Sequence, residues 1–491
     1  MTSHRARRSL LSASIVLVCS ASAIQAQATT PTRETRPNII FILADDFAMN
    51  LVQFMPNVLA MQKEGATFSN YFVAASLCCP SRSSIFTGAY PHNTGVLTNQ
   101  PPDGGFGVFM SRGDESRTFA LALQKAGYRT AMLGKYLNGY LPVRHGVPAG
   151  WTEWDVGGNG YPEFNYNLNQ SGRLQHYGTT PEAYLTDVVG GLADQFIRKS
   201  SSQPFFVEVA TFAPHAPYIP APRDSAAFPG LVAPRTSMFG ARPGPDAPAW
   251  LKGIPVLRPA EIAQIDRAFR MRAQSVLAID KMIGQLRATL AALGIDKKTY
   301  IVFSSDNGLH MGDYSLRPGK MTPFDIDIHV PLIVIGPGVR QGTTVSQIVQ
   351  NVDLAPTFAQ LAGNTGPLVP DGRSLVPLML ETASGDVAPD WRHFALVEHH
   401  HPTDDPTDPD HPEPFSANPP TYNAIRGGTY LYVEYDHGDR SYYDLTRDPL
   451  ELKNVIASVA ADRLAQLHAA LTAAIACKGT PSCWAAQQKV P

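Results

Sequence analysis

A run of five apolar residues, 39–43, leads directly into Asp45 and Asp46, and variants of this pattern recur along the chain. An unbroken apolar run is what a strand needs when both faces are covered; a half-exposed strand would alternate. The segment SRTFALALQKAGYRTAMLGKYL predicts a helix starting near Ser116, a stop at Gly127 and a strand to Leu133. A helix over 182–199 precedes a strand over 205–211 that leads to His215. A long helical pattern over 259–293 feeds a strand over 300–304, which ends at Asp306-Asn307-Gly308. A further apolar strand, 331–335, and a helix over 352–361 follow. Alternating helices and fully apolar strands imply an α/β fold with a doubly wound, mainly parallel sheet. Ligands of such sheets bind beyond the carboxyl ends of the strands. Asp45, Asp46, Lys135, His215, Asp306 and Asn307 sit at those ends.

At 491 residues the chain exceeds one ordinary core, and 44% hydrophobic content is ample for a large one. We expect a catalytic domain over 36–380 and a smaller α+β domain over 381–491. In the latter, TYLYVEY and SYYDL read as antiparallel strands joined at His437-Gly438-Asp439, and 460–476 as a final helix. Residues 213–259, rich in Pro, Gly and Ala, read as an irregular surface excursion. The segment 399–420 (HHHPTDDPTDPDHPEPFSANPP) opposes both helix and strand. It is expected to form a loop at a pocket rim, with its His run solvated rather than metal-bound. A net charge of −2 argues against a nucleic-acid surface, though not against a locally basic pocket.

Residues 1–28 read as an export signal. Arg5, Arg7 and Arg8 precede an apolar core over 10–18, and Ala26-Gln27-Ala28 supplies the small-x-small cleavage pattern. The apolar core is too short to span a bilayer, and no later stretch is long enough. The expectation is an exported protein, periplasmic or secreted, without a membrane anchor after cleavage. Cys477 and Cys483 are close enough in sequence to bridge in an oxidising compartment. A bridge between Cys78 and Cys79 is disfavoured, because adjacent Cα atoms are only about 3.8 Å apart.

The stretch LCCPSRSSIFTG carries the chemistry. Pro80 can open a helix and Gly88 can end it. Cys78 and Cys79 then lie at the helix mouth, where unpaired N–H groups favour an anion, and Arg82 faces back one turn later. CCPSR followed by SIFTG resembles the signature of type I sulfatases, and the resemblance runs from about Arg36 to about Val455. It implies an alkaline-phosphatase-like fold. It also implies oxidation of Cys78 to formylglycine by a formylglycine-generating enzyme before folding, with Cys79 at the variable position.

Asp45, Asp46, Asp306 and Asn307 offer oxygen donors only, which suit Ca²⁺ or Mg²⁺ rather than zinc. The resemblance places a metal on these four and on the oxygen formed at Cys78, with Ca²⁺ expected in an exported protein. Hydrated formylglycine would attack sulfur, expel the alcohol and collapse to release sulfate, with Arg82 holding the diol and the metal-side charge. Lys135 (GKYLNGY) matches the sulfate-contacting lysine of the family, and Lys320 (LRPGK) the lysine near the leaving-group oxygen. His215 (APHAP) matches the histidine that assists departure of the alcohol. One departure stands out. Many members carry a histidine two positions after the first lysine, as base for the elimination, where this chain has Leu137 followed by Asn138. His145 or His310 is left as candidate base, and Asn138 and His310 as substrate contacts. KYLN, SLCCPSRSSI, PHNTGV and APHAP resemble the glucosamine-6-sulfatase and extracellular endosulfatase branch. The implied substrate is a sulfated carbohydrate, with aryl sulfates as artificial substrates. The alternative is a phosphonate monoester or phosphodiester hydrolase of the same fold.

Overall fold

The structure, a computed structural model, describes residues 1–2, 36–363, 366, 368–380, 391–401, 408 and 410–489. Beyond residues 1–2 the expected export signal lies outside the described residues, and so does the expected start of the smaller domain, 381–390. Among the described residues no helix is long and apolar enough to cross a membrane.

Five parallel strands form the centre of a ten-stranded sheet, in the order Thr299–Ser305, Asn38–Ala44, Phe205–Ala210, Arg129–Lys135, Glu153–Gly157. Every residue of Asn38–Ala44 is buried. Ile39, Phe41 and Leu43 enter one apolar core, and Ile40 and Ile42 the other. The unbroken apolar run is thus two half-cores read alternately, as a strand covered on both faces requires. Helices Leu185–Ser200 and Pro259–Ala292 cover one face, and Phe119–Lys125 and Leu354–Leu361 the other.

The sheet is mainly parallel, as expected, with antiparallel pairs toward both edges. Leu332–Ile335 runs antiparallel to Thr299–Ser305, and Tyr166–Gln170 with Arg173–Tyr177 adds an antiparallel hairpin at the far side. Apolar content reports how deeply a strand is buried and carries no information on its direction. The expected helix start near Ser116 is a 3-10 turn, Asp114–Arg117, and the α-helix begins at Phe119.

The C-terminal sheet has four antiparallel strands, Phe394–His399, Tyr422–Gly427, Tyr430–Tyr435 and Arg440–Asp444. The hairpin at Gly438 and the helix Ala461–Ile475 match the expectation. The first two strands do not: they flank the Pro-rich segment and were not anticipated. The His run therefore starts inside a strand. His399 is buried, with Nε2 at 3.3 Å from the Pro419 carbonyl oxygen, rather than solvated. A further helix, Thr480–Gln487, is tied to the Ala461–Ile475 helix by the Cys477–Cys483 disulfide. Cys78 and Cys79 are not bridged.

Candidate active site

All ten residues of the helix Cys78–Thr87 are buried. Pro80 falls in its first turn, where its missing N–H has no intrahelical partner to lose. Gly88, at φ 71°, closes the helix by donating to the Ser84 carbonyl at 2.8 Å. Arg82 turns back as expected. Its Nε donates to Asp306 Oδ2 at 2.7 Å and its Nη1 to the Lys135 carbonyl at 2.9 Å, while Nη2 lies 3.7 Å from Asp45 Oδ1.

Two backbone features aim the strand ends at this helix. Asp46 sits at φ 57°, a conformation that residues with a Cβ rarely adopt and that marks stored strain. The turn is held from both sides: the Asp46 N–H donates to Asp306 Oδ1 at 3.1 Å, and its carbonyl accepts from Arg272 Nη2 at 2.5 Å. Gly134, at φ 92°, lies so close to the next strand that a Cβ would stand 1.9 Å from the Ala210 oxygen. Only glycine fits there, and Lys135 follows directly into the site.

Lys135 Nζ donates to Asp45 Oδ2 at 2.6 Å, and Lys320 Nζ to Asp46 Oδ1 at 2.7 Å. The Cys78 sulfur lies 2.9 Å from Lys320 Nζ, 3.3 Å from Asp45 Oδ1 and 3.8 Å from Asp46 Oδ1. His215 presents Nε2 to Asp410 Oδ1 at 2.6 Å, with Asp46 Oδ2 at 3.5 Å, and its Nδ1 lies 2.7 Å from the Ala216 carbonyl. Burial pushes the Cys78 thiol well above its ordinary range, and Asp410 and Asp45 push it further. An unmodified cysteine is therefore held as the weakly nucleophilic thiol. Burial would raise the Asp306 carboxyl, but Arg82, Lys135 and Lys320 overcome it and hold it at about 2. Burial would lower the Lys320 ammonium, and Asp410 and Asp46 instead raise it well above the usual range.

The donor set fits a hard divalent cation. One atom each of Asp45, Asp46, Cys78 and His215 lies within 4.8 Å of the others. Asn307 donates its amide to Asp46 Oδ1 at 2.6 Å, yet its own Oδ1 is buried without a partner. With Asp306, this gives three carboxylates and an unspent amide oxygen, the ligands that Ca²⁺ and Mg²⁺ favour.

Other expected residues fall differently. His310 is buried, with Nδ1 at 2.9 Å from Asp327 Oδ2 and Nε2 at 2.7 Å from the Ser416 carbonyl. Both nitrogens are engaged within the fold, and Asp327 raises the ring above its usual range against the effect of burial. Cys79 is part of an apolar core, where burial pushes its thiol to about 12. Asn138 Nδ2 donates to Asp410 Oδ2 at 3.1 Å. Asp410 itself, from the Pro-rich segment, escaped the sequence reading, as did Asn99, which donates to it at 2.6 Å. No local pattern marks either residue. A cavity of about 600 Å³ opens beside Lys135, lined by Leu137, Asn138, Tyr140, His145 and Tyr161. Another, of about 400 Å³, is lined by Asp46, His215, Lys320 and Asp410.

Comparison with known proteins agrees with this arrangement. The sequence model of the sulfatase family matches residues 37–364, and that of the N-sulphoglucosamine sulphohydrolase C-terminal region matches 319–476. The N-acetylglucosamine-6-sulfatase of Homo sapiens is 34% identical over 483 residues, covering 91% of this chain and 86% of its own. An arylsulfatase of Volvox carteri is 28% identical, covering 92% and 76%. Among solved structures, one holding its substrate D-glucosamine-2-N,6-O-disulfate superposes with a TM-score of 0.74 at 23% identity, over 89% of this chain and 97% of that one. A phosphonate monoester hydrolase from Silicibacter pomeroyi superposes at 0.66 with 22% identity, over 88% and 93%. With the family's cysteine helix at the meeting point of its strand ends and relatives aligned along nearly its whole length, this chain belongs to the sulfatase family and is a sulfuric ester hydrolase.

Proposed function

We propose that the chain releases inorganic sulfate from sulfated sugars, 6-O-sulfated N-acetylglucosamine units above all, using formylglycine made from Cys78 and a bound Ca²⁺. The observation that carries the chemistry is the convergence of Asp45, Asp46, Asp306, Asn307, Lys135, Lys320 and His215 on a buried Cys78. The sugar rests on the N-acetylglucosamine-6-sulfatase relatives and on the disulfated glucosamine bound by the structural neighbour.

Asp45, Asp46, Asp306 and Asn307 would hold the cation. Together the cation and the aldehyde hydrate supply an oxygen nucleophile at neutral pH. Lys135 and Lys320 fix two ammonium charges where the sulfate oxygens must lie, on side chains that are themselves buried, where such charges count most. His215 offers a proton at Nε2 to the departing sugar oxygen. Arg82 braces Asp306 and Asp45. For the elimination base, His145 is the better of the two histidines. It lines the cavity beside Lys135, and burial together with Arg144 lowers its ring below the usual range. The same cavity has room for the sugar. Cys78 is fully buried, so the formylglycine-generating enzyme must act before the chain folds. The Cys477–Cys483 bridge suits an exported protein, periplasmic or secreted. We take 36–380 as the catalytic domain and 381–491 as the smaller one.

Two measurements test the proposal. The intact mass of the Cys78 peptide should show aldehyde in place of thiol. Turnover of N-acetylglucosamine-6-sulfate and a longer sulfated oligosaccharide should exceed that of nitrophenyl sulfate in kcat/KM, with kcat itself falling as the sugar is shortened. A preference for the aryl ester would remove the sugar assignment. A preference for a phosphonate ester would favour the other activity found on this fold.

A further inference from the structure

Four segments of the chain converge on the Asp410 carboxylate. Its Oδ1 accepts from His215 Nε2 at 2.6 Å and from Lys320 Nζ at 2.6 Å. Its Oδ2 accepts from Asn99 Nδ2 at 2.6 Å and from Asn138 Nδ2 at 3.1 Å. The side chain is 2% exposed. The Asp410 N–H donates to Asp408 Oδ1 at 3.0 Å, and the His411 N–H to the Asp408 carbonyl at 2.9 Å. An ammonium, an imidazole and two amides thus surround one carboxylate with two equivalent oxygens. A sulfate ester has the same charge and presents its oxygens in a similar span. It would satisfy the same donors, and His215 Nε2, with one proton to give, cannot serve both anions at once.

We propose that Asp410 is a built-in competitor of the substrate: its carboxylate occupies the donors that the sulfate group needs, and sulfate binds by displacing it. This inference rests on reading the site as one for sulfate esters. It gives the Pro-rich segment a task beyond walling the pocket, because that segment sets how tightly the site holds any anion, product sulfate included. Two like charges cannot share this pocket without a large penalty, so the native carboxylate weakens substrate and product alike. The arrangement also keeps Lys320 and His215 paired when no substrate is present, which limits the cost of burying them.

A different role would leave a different mark. If Asp410 served only to orient the His215 ring, removing it would lower kcat and leave anion affinity unchanged. The decisive comparison uses Cys78→Ala protein with Ca²⁺ present, alone and combined with Asp410→Asn or Asp410→Ala. Calorimetry with inorganic sulfate reads the affinity. The dissociation constant should fall about tenfold or more in both double variants. In the active enzyme, Asp410→Asn should lower KM for nitrophenyl sulfate and the inhibition constant of inorganic sulfate together. Unchanged or weaker sulfate binding in variants that melt at the parental temperature would overturn the inference. The two readings fail separately. Wild-type preference for phosphonate esters would overturn the proposed function, whereas the calorimetric comparison bears on Asp410 alone.

Discussion

At the rim of the parallel sheet, three carboxylates (Asp45, Asp46, Asp306) and three cations (Arg82, Lys135, Lys320) are buried against one another. In the C-terminal antiparallel sheet, the large buried groups are instead tyrosines: Tyr422, Tyr430, Tyr432, Tyr435 and Tyr443. Both regions are dry, but for different ends. Burying an ion costs several kcal/mol even after relaxation, and pairing recovers only part of it. A cluster of six such groups is a poor way to hold a fold together and a good way to hold a cation and an anion. Tyrosines bury wide apolar faces and add directed packing, which is stabilising in itself. Chemistry and stability are thus separated in space, and each region should answer differently to perturbation.

The largest effect is expected at the rim. Cys78→Ala should reduce sulfate release by at least about 10⁴-fold, since the proposed oxygen nucleophile is lost, while the melting temperature barely moves. Cys79→Ala, one residue away in the apolar core, should keep most of the activity and cost about 1 kcal/mol of stability. Loss of activity in Cys79→Ala with retention in Cys78→Ala would reverse the assignment.

Next, chelation should inactivate the enzyme, with Ca²⁺ or Mg²⁺ restoring it, and Asp306→Ala should lose activity that added metal does not restore. Asp306→Ala also leaves Arg82 buried without its 2.7 Å partner, so a drop of about 3 kcal/mol in stability should accompany it. Rescue by zinc alone would argue against an oxygen-donor site.

The C-terminal sheet should behave in the opposite way. Opening the Cys477–Cys483 bridge, which closes a short loop with a sequence separation of 6, should cost about 2 kcal/mol on the chain-entropy estimate and leave kcat unchanged. A fall in kcat that parallels the loss of stability would show that the two regions are coupled.

The smallest effect lies at their junction. His92 Nδ1 meets Glu398 at 2.9 Å, linking the short helix Pro91–Thr94 to the strand Phe394–His399. Burial would lower the His92 ring, but Glu398 outweighs it and raises the ring above its usual 6.5. With the folded value above the unfolded one, the contact stabilises below about pH 6.5 and its contribution fades as pH climbs through the folded value. His92→Gln should therefore cost about 0.5–1 kcal/mol near pH 5.5 and less near pH 9, read from urea unfolding. Equal losses at both pH values would assign the contact to packing instead.

Local pattern carried the chain a long way. Apolar runs ending in Asp, Lys, His and Asn identified four of the five central parallel strands and their polar ends, because a strand buried on both faces favours such a run; Glu153–Gly157, with Asp155 in its middle, carries no such run and was missed. Gly88 marked the end of the Cys78–Thr87 helix and Pro80 its first turn, since both act through backbone geometry that is local by nature, although the helix begins two residues before the proline. The four oxygen donors proposed to hold a cation were legible for the same reason: Asp45, Asp46, Asp306 and Asn307 each lie within two residues of a strand end.

What depends on contact between distant segments was decided only by the tertiary structure. The direction of Leu332–Ile335 follows from its neighbours, not from its residues. His310 looked available beside Asp306-Asn307-Gly308, yet Asp327 and Ser416 claim both its nitrogens. Asp410 lies 195 residues beyond His215 in a stretch whose composition says only that it is irregular. Its carboxylate is placed by donors on four segments, and no window along the chain contains them together. Sequence by itself determined which groups lie where strands end; the fold decided which of those groups face one another, because pairing is a property of three-dimensional proximity and charge rather than of order along the chain.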